Sequence, residues 1–260
     1  NAAAGPAGLY YCAARDVTDH KRVSADLRRA LLDLELRNVE LQDFAFVASH
    51  DLQEPLRKVQ AFTDRVIARY ADRLDAQGVD YLRRMDAAAG RMQTLIDDLL
   101  AYSRVSTRGE SFRPVDLGRV LAEVQADLEA RLESSGGQIA SGPLPVIEAD
   151  PTQMRQLLQN LLGNALKFAV PGRRPLVEVG AERVEVPGPG GELRSAWRLV
   201  VSDNGIGFDN AQAERIFVPF QRLHGRSEYE GTGMGLAIVR KIVERHGGTI
   251  RACAQPGQGA

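Results

Sequence analysis

His50 stands in the run Ser49-His50-Asp51-Leu52-Gln53-Glu54-Pro55-Leu56, inside a long helical pattern and away from any other ligand-like side chain. Core packing explains poorly an imidazole on a helix with a carboxylate beside it and a proline five residues on. The arrangement suits a nucleophile that faces solvent and receives a group from elsewhere. Three further boxes read as the source of that group. Asn160 and Asn164 lie four apart on one helical face, with Lys167 three further on. A carboxamide oxygen is a hard, neutral ligand for magnesium, and lysine offers a point charge to phosphates. The bland alternative is a solvated polar face. Asp203-Asn204-Gly205-Ile206-Gly207-Phe208 ends a strand pattern. A carboxylate there can accept from an exocyclic amine such as that of adenine, and the glycines let the backbone pass close to a flat base. Asp and Gly are also ordinary turn formers. Gly231-Thr232-Gly233-Met234-Gly235-Leu236 precedes the last helical pattern, where exposed N–H groups attract phosphate. It is neither GxxxxGK[ST] nor GxGxxG in context. The long polar stretch before it, residues 218–229 with Phe220 and Arg222, reads as a lid over a ligand.

Among the other histidines, His246 suits a contact at a helix C-terminus, and His20 and His224 read as solvated. The composition narrows the field further. A chain of 260 residues suits two folding units, and 44% hydrophobic content is ordinary for a soluble protein. A net charge of −1 argues against nucleic acid as partner. Cys12 and Cys253 give neither a disulfide framework nor a CxxC site, so a reducing compartment is expected. No apolar run approaches the roughly 20 residues of a membrane span. With no signal peptide and Asn1 in first place, the expectation is a cytoplasmic fragment of a longer protein.

The elements that must position these residues follow from pattern. Residues 1–20 open with a flexible Ala/Gly/Pro stretch, then a β-like run over 9–14, with Thr18 or Asp19 as helix N-cap. Leu27, Leu34, Leu41 and Ala48 repeat every seven residues, and Leu31, Asn38, Ala45 and Leu52 form the offset series of a heptad. Asn38 then either fixes register in a parallel dimer or points outward on a single amphipathic helix. Pro55 predicts a kink or softened turn beside His50. A turn over 75–78 and a second helix over 79–105 complete a hairpin, with Leu82, Met85, Met92, Ile96, Leu99 and Leu100 facing inward. Two such hairpins make a four-helix bundle. Residues 107–111 read as a linker. Beyond it the pattern predicts a helix from the Asp116 cap to 132 and strands over 138–141 and 146–149. A helix opened by Asp150-Pro151 follows, running to Phe168. Strands over 176–186 and 197–201, a helix over 235–246 ended by Gly247-Gly248, and a strand over 249–254 close the chain.

Singly the boxes are modest; their order and spacing are specific. From His50 through residues 160–167, 203–207, 217–220 and 231–236, the chain resembles the sensor histidine kinases of two-component systems. The likeness covers about residues 20–260. The wording SHDLQEPLR and FQRLH…EYEGTGMGLAI…ERHGG is nearest to the phytochrome-type, PAS-linked branch. The resemblance implies three parts. Residues 1–20 would be the exit of a PAS-like sensor domain, and 21–108 a coiled-coil linker with the dimerisation and phosphoacceptor hairpin. Residues 109–260 would be the catalytic ATP-binding domain, an α+β sandwich of the Bergerat type. It implies that His50 is phosphorylated, that Asp51 orients the imidazole or takes its proton, and that Asn164 holds magnesium with Asn160 and Lys167 assisting at the phosphates. Asp203, with Gly205, Ile206 and Gly207, would read adenine. Phe220, Arg222, Gly231, Thr232, Gly233, Met234, Gly235 and Leu236 would line the lid and phosphate side. The implied partners are a second copy of the chain, an upstream sensor in the same chain and a response regulator whose aspartate takes the phosphate. DNA gyrase and MutL-type ATPases share the nucleotide fold but place a glutamate four residues before the magnesium asparagine to activate water. Asn160 stands there, which disfavours an ATPase reading; intact nucleotide boxes disfavour a non-catalytic scaffold. Glu54 replaces the usual Thr or Asn four residues after the histidine, leaving phosphatase activity in doubt. The family's final strands would continue past Ala260. Rotation of the heptad helix, or bending at Pro55, is the expected route for a signal from the sensor.

Overall fold

The computed structural model describes residues 2–4, 10–12, 18–107, 109–188, 191–223, 225, 228–229 and 231–260, with only part of the side chains over 18–50 and 106–107. Two compact units emerge, residues 1–44 and 45–260. The first contains β1 (Ala2–Ala4) and β2 (Tyr10–Cys12), antiparallel with Ala2 opposite Cys12, and the start of α1 (Thr18–Tyr70). The opening stretch expected to be flexible therefore includes a strand. Backbone pairing with Tyr10–Cys12 satisfies the N–H and C=O groups of an alanine run that has no side-chain signal of its own. Residue 9 and residues 13–14 of the expected β-like run lie outside the described residues.

The second unit begins within α1, which stays helical through Pro55 to Tyr70. A 3-10 turn, Ala71–Arg73, leads to α2 (Ala76–Thr107). The turn thus falls before the expected 75–78. Asp75 accepts the Gly78 N–H at 2.7 Å, so this Asp and Gly belong to a helix start rather than to a turn between helices. The helices are antiparallel: Gln53 Nε2 donates to Asp97 Oδ1 at 2.8 Å. Their seam buries Leu56, Ala89, Ile96 and Leu100. Met85 and Met92, expected on the inward face, are 52% and 49% exposed. They flank the seam, because one partner helix covers only a narrow stripe of α2.

The remaining chain forms helices over a sheet. β3 (Arg113–Asp116) pairs antiparallel with β5 (Val146–Ala149). β6 (Leu176–Pro187) lies between parallel β4 (Gln138–Ser141) and antiparallel β7 (Leu193–Asp203), with Val179 opposite Val201. Asp116 caps α3 (Leu117–Asp127) by accepting the Gly118 and Arg119 N–H groups. The helix expected to reach 132 breaks at Leu128 (φ −95, ψ 2) and resumes as α4 (Glu129–Ser135), closed by left-handed Gly136. Asp150 caps α5 (Pro151–Lys167), with Pro151 in its first turn. The last helix is α6 (Gly235–Arg245). Leu121 and Val124 of α3, Leu158 and Leu162 of α5, Val177 and Val179 of β6, and Ile238 and Ile242 of α6 meet in one core. Each large aliphatic side chain so buried contributes on the order of 1.5–3 kcal/mol. The strand expected over 249–254 does not form: the Ala254 N–H goes to Asn210 Oδ1 at 3.0 Å, and pairing is limited to a bridge between Gln255 and Gly259. A β-prone run needs a ladder partner, and here the Asp203 N–H bonds the Ala260 carbonyl instead. The architecture is the expected helical hairpin followed by an α+β sandwich.

Candidate nucleotide site

α5 brings Asn160, Asn164 and Lys167 to its C-terminal half because its other face is held in the core by Leu157, Leu158, Leu162, Ala165 and Leu166. These three polar residues meet the glycine box. A methyl group placed on Gly235 would stand 3.2 Å from Asn160 Oδ1 and 4.0 Å from Asn164 Nδ2, and one placed on Gly231 would stand 2.7 Å from Lys167 Nζ. A Cβ at Gly235 would crowd the Asn160 carboxamide, so glycine there lets α6 begin close against α5. α6 also begins without a side-chain cap, unlike α3 and α5 with their aspartates. Its first N–H groups therefore remain available to an anion.

The lid is tied to itself. Arg222 donates to the carbonyl of Gly231 at 2.8 Å, of Gly225 at 3.3 Å, and of Tyr229. Gly233 (φ 80) passes against the backbone of Phe220 and Gln221; a methyl on it would meet the Gln221 carbonyl at 2.7 Å. Phe220 itself has φ 63 and a 54% exposed side chain. Tyr229 reaches the ring of Phe168, centroids 5.0 Å apart, and Lys167 Nζ lies 4.4 Å from the same ring. Met234, expected in the site, is fully buried in the core, so it brings backbone alone. Its N–H donates to Thr232 Oγ1 at 3.2 Å.

Asp203 ends β7 beside this wall. Its Oδ1 accepts the Gly205 N–H at 2.8 Å, and the Ile206 N–H reaches the Phe168 carbonyl at 2.9 Å. Burial pushes the Asp203 carboxyl above the usual range, against the N–H groups of Gly205 and Ala260, which favour the ionised form. Gly207 packs on the backbone of Gln255. Leu236 lies half-buried in the first turn of α6. Phe168 thus joins the Asp203 loop, Lys167 and the lid, a role no periodicity marked out.

His50 occupies α1 as expected, with Asp51 exposed beside it; the side chains of His50, His20 and Asn38 lie outside what is described, as does His224. The Gln53–Asp97 bond sets the level of His50, one turn earlier in α1, near Leu100 of α2. Thr232 donates to Asp98 Oδ2, so the glycine box touches the hairpin within about one turn of that level. His246 does contact its helix end, with Nδ1 2.8 Å from the Ile242 carbonyl. It also accepts the Asp150 N–H at Nε2 and stacks on Phe112 at 4.4 Å. Glu54 lies beside Lys58, four residues on.

A magnesium ion fits this donor set. No group of three His, Cys, Asp or Glu side chains able to hold a metal exists among the described residues. The two carboxamides suit an ion that takes most of its ligands from phosphate and water.

Residues 149–260 match the family model of histidine kinase-, DNA gyrase B- and HSP90-like ATPases, and residues 40–108 match that of the His kinase A (phospho-acceptor) domain. Cyanobacterial phytochrome A of Nostoc sp. is 44% identical over 92% of this chain and 30% of its own length. Phytochrome-like protein Cph1 of Synechocystis sp. is 41% identical over 92% of this chain and 31% of its own. The crystal structure of full-length ShkA in complex with AMPPNP superposes with a TM-score of 0.61 at 28% identity, over 84% of this chain and 44% of that one. The chain thus spans about 30% of the length of these curated relatives. Among the described residues no helix is long and apolar enough to cross a membrane. With a phospho-acceptor hairpin followed by the matching ATPase module, the chain belongs to the sensor histidine kinases.

Proposed function

We propose that the chain binds ATP between α5, the Asp203 loop and the glycine box, transfers its terminal phosphoryl group to His50, and passes it on to an aspartate of a response regulator. The observation that carries this reading is the approach of Asn160 and Asn164 to the uncapped N-terminus of α6, with Lys167 against Gly231 in the loop before it. Asp203 accepts from the adenine amine, with Gly205, Ile206 and Gly207 shaping the base pocket. Asn164, assisted by Asn160, would hold a magnesium ion, which when bound neutralises phosphate charge. Lys167, Gly231, Gly233 and Gly235 face the phosphates, and Phe220, Arg222, Thr232, Met234 and Leu236 support the lid and first turn. A His50 ring nitrogen forms the bond to phosphorus as the bond to the β,γ-bridging oxygen breaks, and ADP leaves with that electron pair. Asp51 orients the ring or takes the proton from its other nitrogen. Positioning and charge neutralisation account for most of the rate of such a transfer. Asn160 rather than a carboxylate stands where a water-activating base would sit, which supports transfer to histidine over hydrolysis.

The wider assignments belong to the same reading. The hairpin forms a four-helix bundle with a second copy, the heptad helix is a coiled coil, and residues 1–20 are the exit of a PAS-like sensor. The setting is cytoplasmic. Incubation with magnesium and γ-labelled ATP is expected to give an acid-labile, base-stable phosphoprotein that His50→Gln abolishes. Equal labelling of that variant overturns the assignment.

A further inference from the structure

α2 has two working faces. Leu82, Ala89, Ile96 and Leu100 recur along the face turned to α1, the last three in the buried seam. At 3.6 residues per turn, Asp98, Tyr102 and Val105 fall on the opposite side. That second stripe is occupied by the nucleotide module. Val105 lies in the sandwich core, and its carbonyl accepts from Gln153 Nε2 at 2.9 Å. Lys241 of α6 stands 4.1 Å over the Tyr102 ring. Asp98 accepts the hydroxyl proton of Thr232, at the centre of the glycine box.

The last contact has a consequence for the loop. A hydroxyl has one proton to give. With that proton directed at Asp98, the Thr232 oxygen presents a lone pair to the Met234 N–H, which donates to it at 3.2 Å. The backbone donor at the foot of α6 is thereby held inward. We propose that Asp98 is a positioning residue that latches the glycine box to the hairpin, so that nucleotide entry and exit require Thr232 to leave α2. Asp98 acts through Thr232. The contact lies within about one turn of the level of His50, so whatever displaces α2 there is felt directly by the lid.

Burial supports the geometry. Asp98 is partly withdrawn from solvent, which raises its carboxyl above the ordinary range; the Thr232 hydroxyl opposes that rise, and neighbouring Asp97 adds to it. The contact thus holds a carboxylate at a solvation cost that the Thr232 hydrogen bond offsets in part.

The inference rests on the nucleotide reading above, and the test separates the two. Stopped-flow fluorescence of a labelled ATP analogue with magnesium is measured on the full chain, as wild type, Asp98→Ala and Asp98→Asn. The latch predicts that Asp98→Ala raises both association and dissociation rates by about 3–10-fold while Kd changes less than either. It also predicts faster hydrogen exchange at the Met234 amide. Asp98→Asn keeps an acceptor for the Thr232 hydroxyl and is expected to restore near-wild-type rates. Unchanged rates in Asp98→Ala, or an Asn variant as fast as the Ala variant, overturn the latch while leaving nucleotide binding intact. A wild-type chain that binds no analogue overturns the nucleotide reading and the latch with it.

Discussion

In the proposed adenine pocket Asp203 acts as a carboxylate where burial opposes its ionisation. An ionised carboxylate accepts from an amine better than a protonated one, yet burial raises its pKa, with the Gly205 and Ala260 N–H groups only partly restoring it. Relative to the unfolded chain, the folded protein takes up this proton more readily. The cost of ionising Asp203 is therefore present above the raised pKa and disappears as pH falls below it. Adenine affinity runs the other way. We expect it to fall as pH drops through the raised Asp203 value, at a higher pH than an ordinary carboxylate would give. Asp203→Asn is expected to lose about 10–100-fold in affinity, the size of one hydrogen bond to a charged group at roughly 1.5–3 kcal/mol. Its residual binding should no longer show the Asp203 titration. Calorimetric titration with ADP across pH checks both; an Asn variant whose pH profile retains the wild-type shape removes Asp203 from the adenine pocket.

At the scale of elements, the linker and helix ends decide how firmly the sandwich holds together. Arg245 donates to Asp150 Oδ2 at 2.8 Å and to the Glu110 carbonyl at 3.1 Å, and lies over Phe112. Asp150 is 1% exposed and Arg245 22%, so removing the cation strands a buried carboxylate that also caps α5. Arg245→Ala is expected to cost about 2–4 kcal/mol, short of the roughly 3–5 of a fully buried pair. Lys58→Ala, which breaks the exposed Glu54–Lys58 pair, should cost well under about 1 kcal/mol. Urea titrations compare the two, and equal costs contradict the buried-clasp account. Asp150 and Pro151 announced their helix start in the sequence because capping is local chemistry. Strand β3 did not show, since Pro114 in a four-residue run argues against a strand unless it lies at an edge, as it does beside β5. The break at Leu128 carries no Gly or Pro to mark it. Residues 249–254 looked like a strand because propensity cannot tell whether a ladder partner exists. The site divides the same way. Asn160, Asn164 and Lys167 share a face by spacing alone, whereas the Thr232–Asp98 contact spans 134 residues and no local pattern encodes it.

At the scale of the whole molecule, the hairpin leaves apolar surface uncovered. Its seam is small, and Leu52, Phe62, Tyr81, Met85 and Met92 are left exposed on α1 and α2. Apolar side chains recurring along two adjacent helices at that density mark an interaction face rather than scattered surface residues. A second hairpin would cover them and complete a bundle. Two-fold symmetry makes the test sensitive, because each substitution enters the interface twice. Met85→Glu with Met92→Glu would place four carboxylates in an apolar seam, where each must be hydrated or protonated. We expect light scattering to report a dimer for the wild-type chain and a monomer for the double variant. ADP binding should persist in the variant, since the nucleotide boxes lie in the sandwich and neither methionine belongs to its core. A variant that remains dimeric at micromolar concentration would place the partner surface elsewhere. A wild-type chain that is monomeric at high concentration would leave those methionines needing another cover.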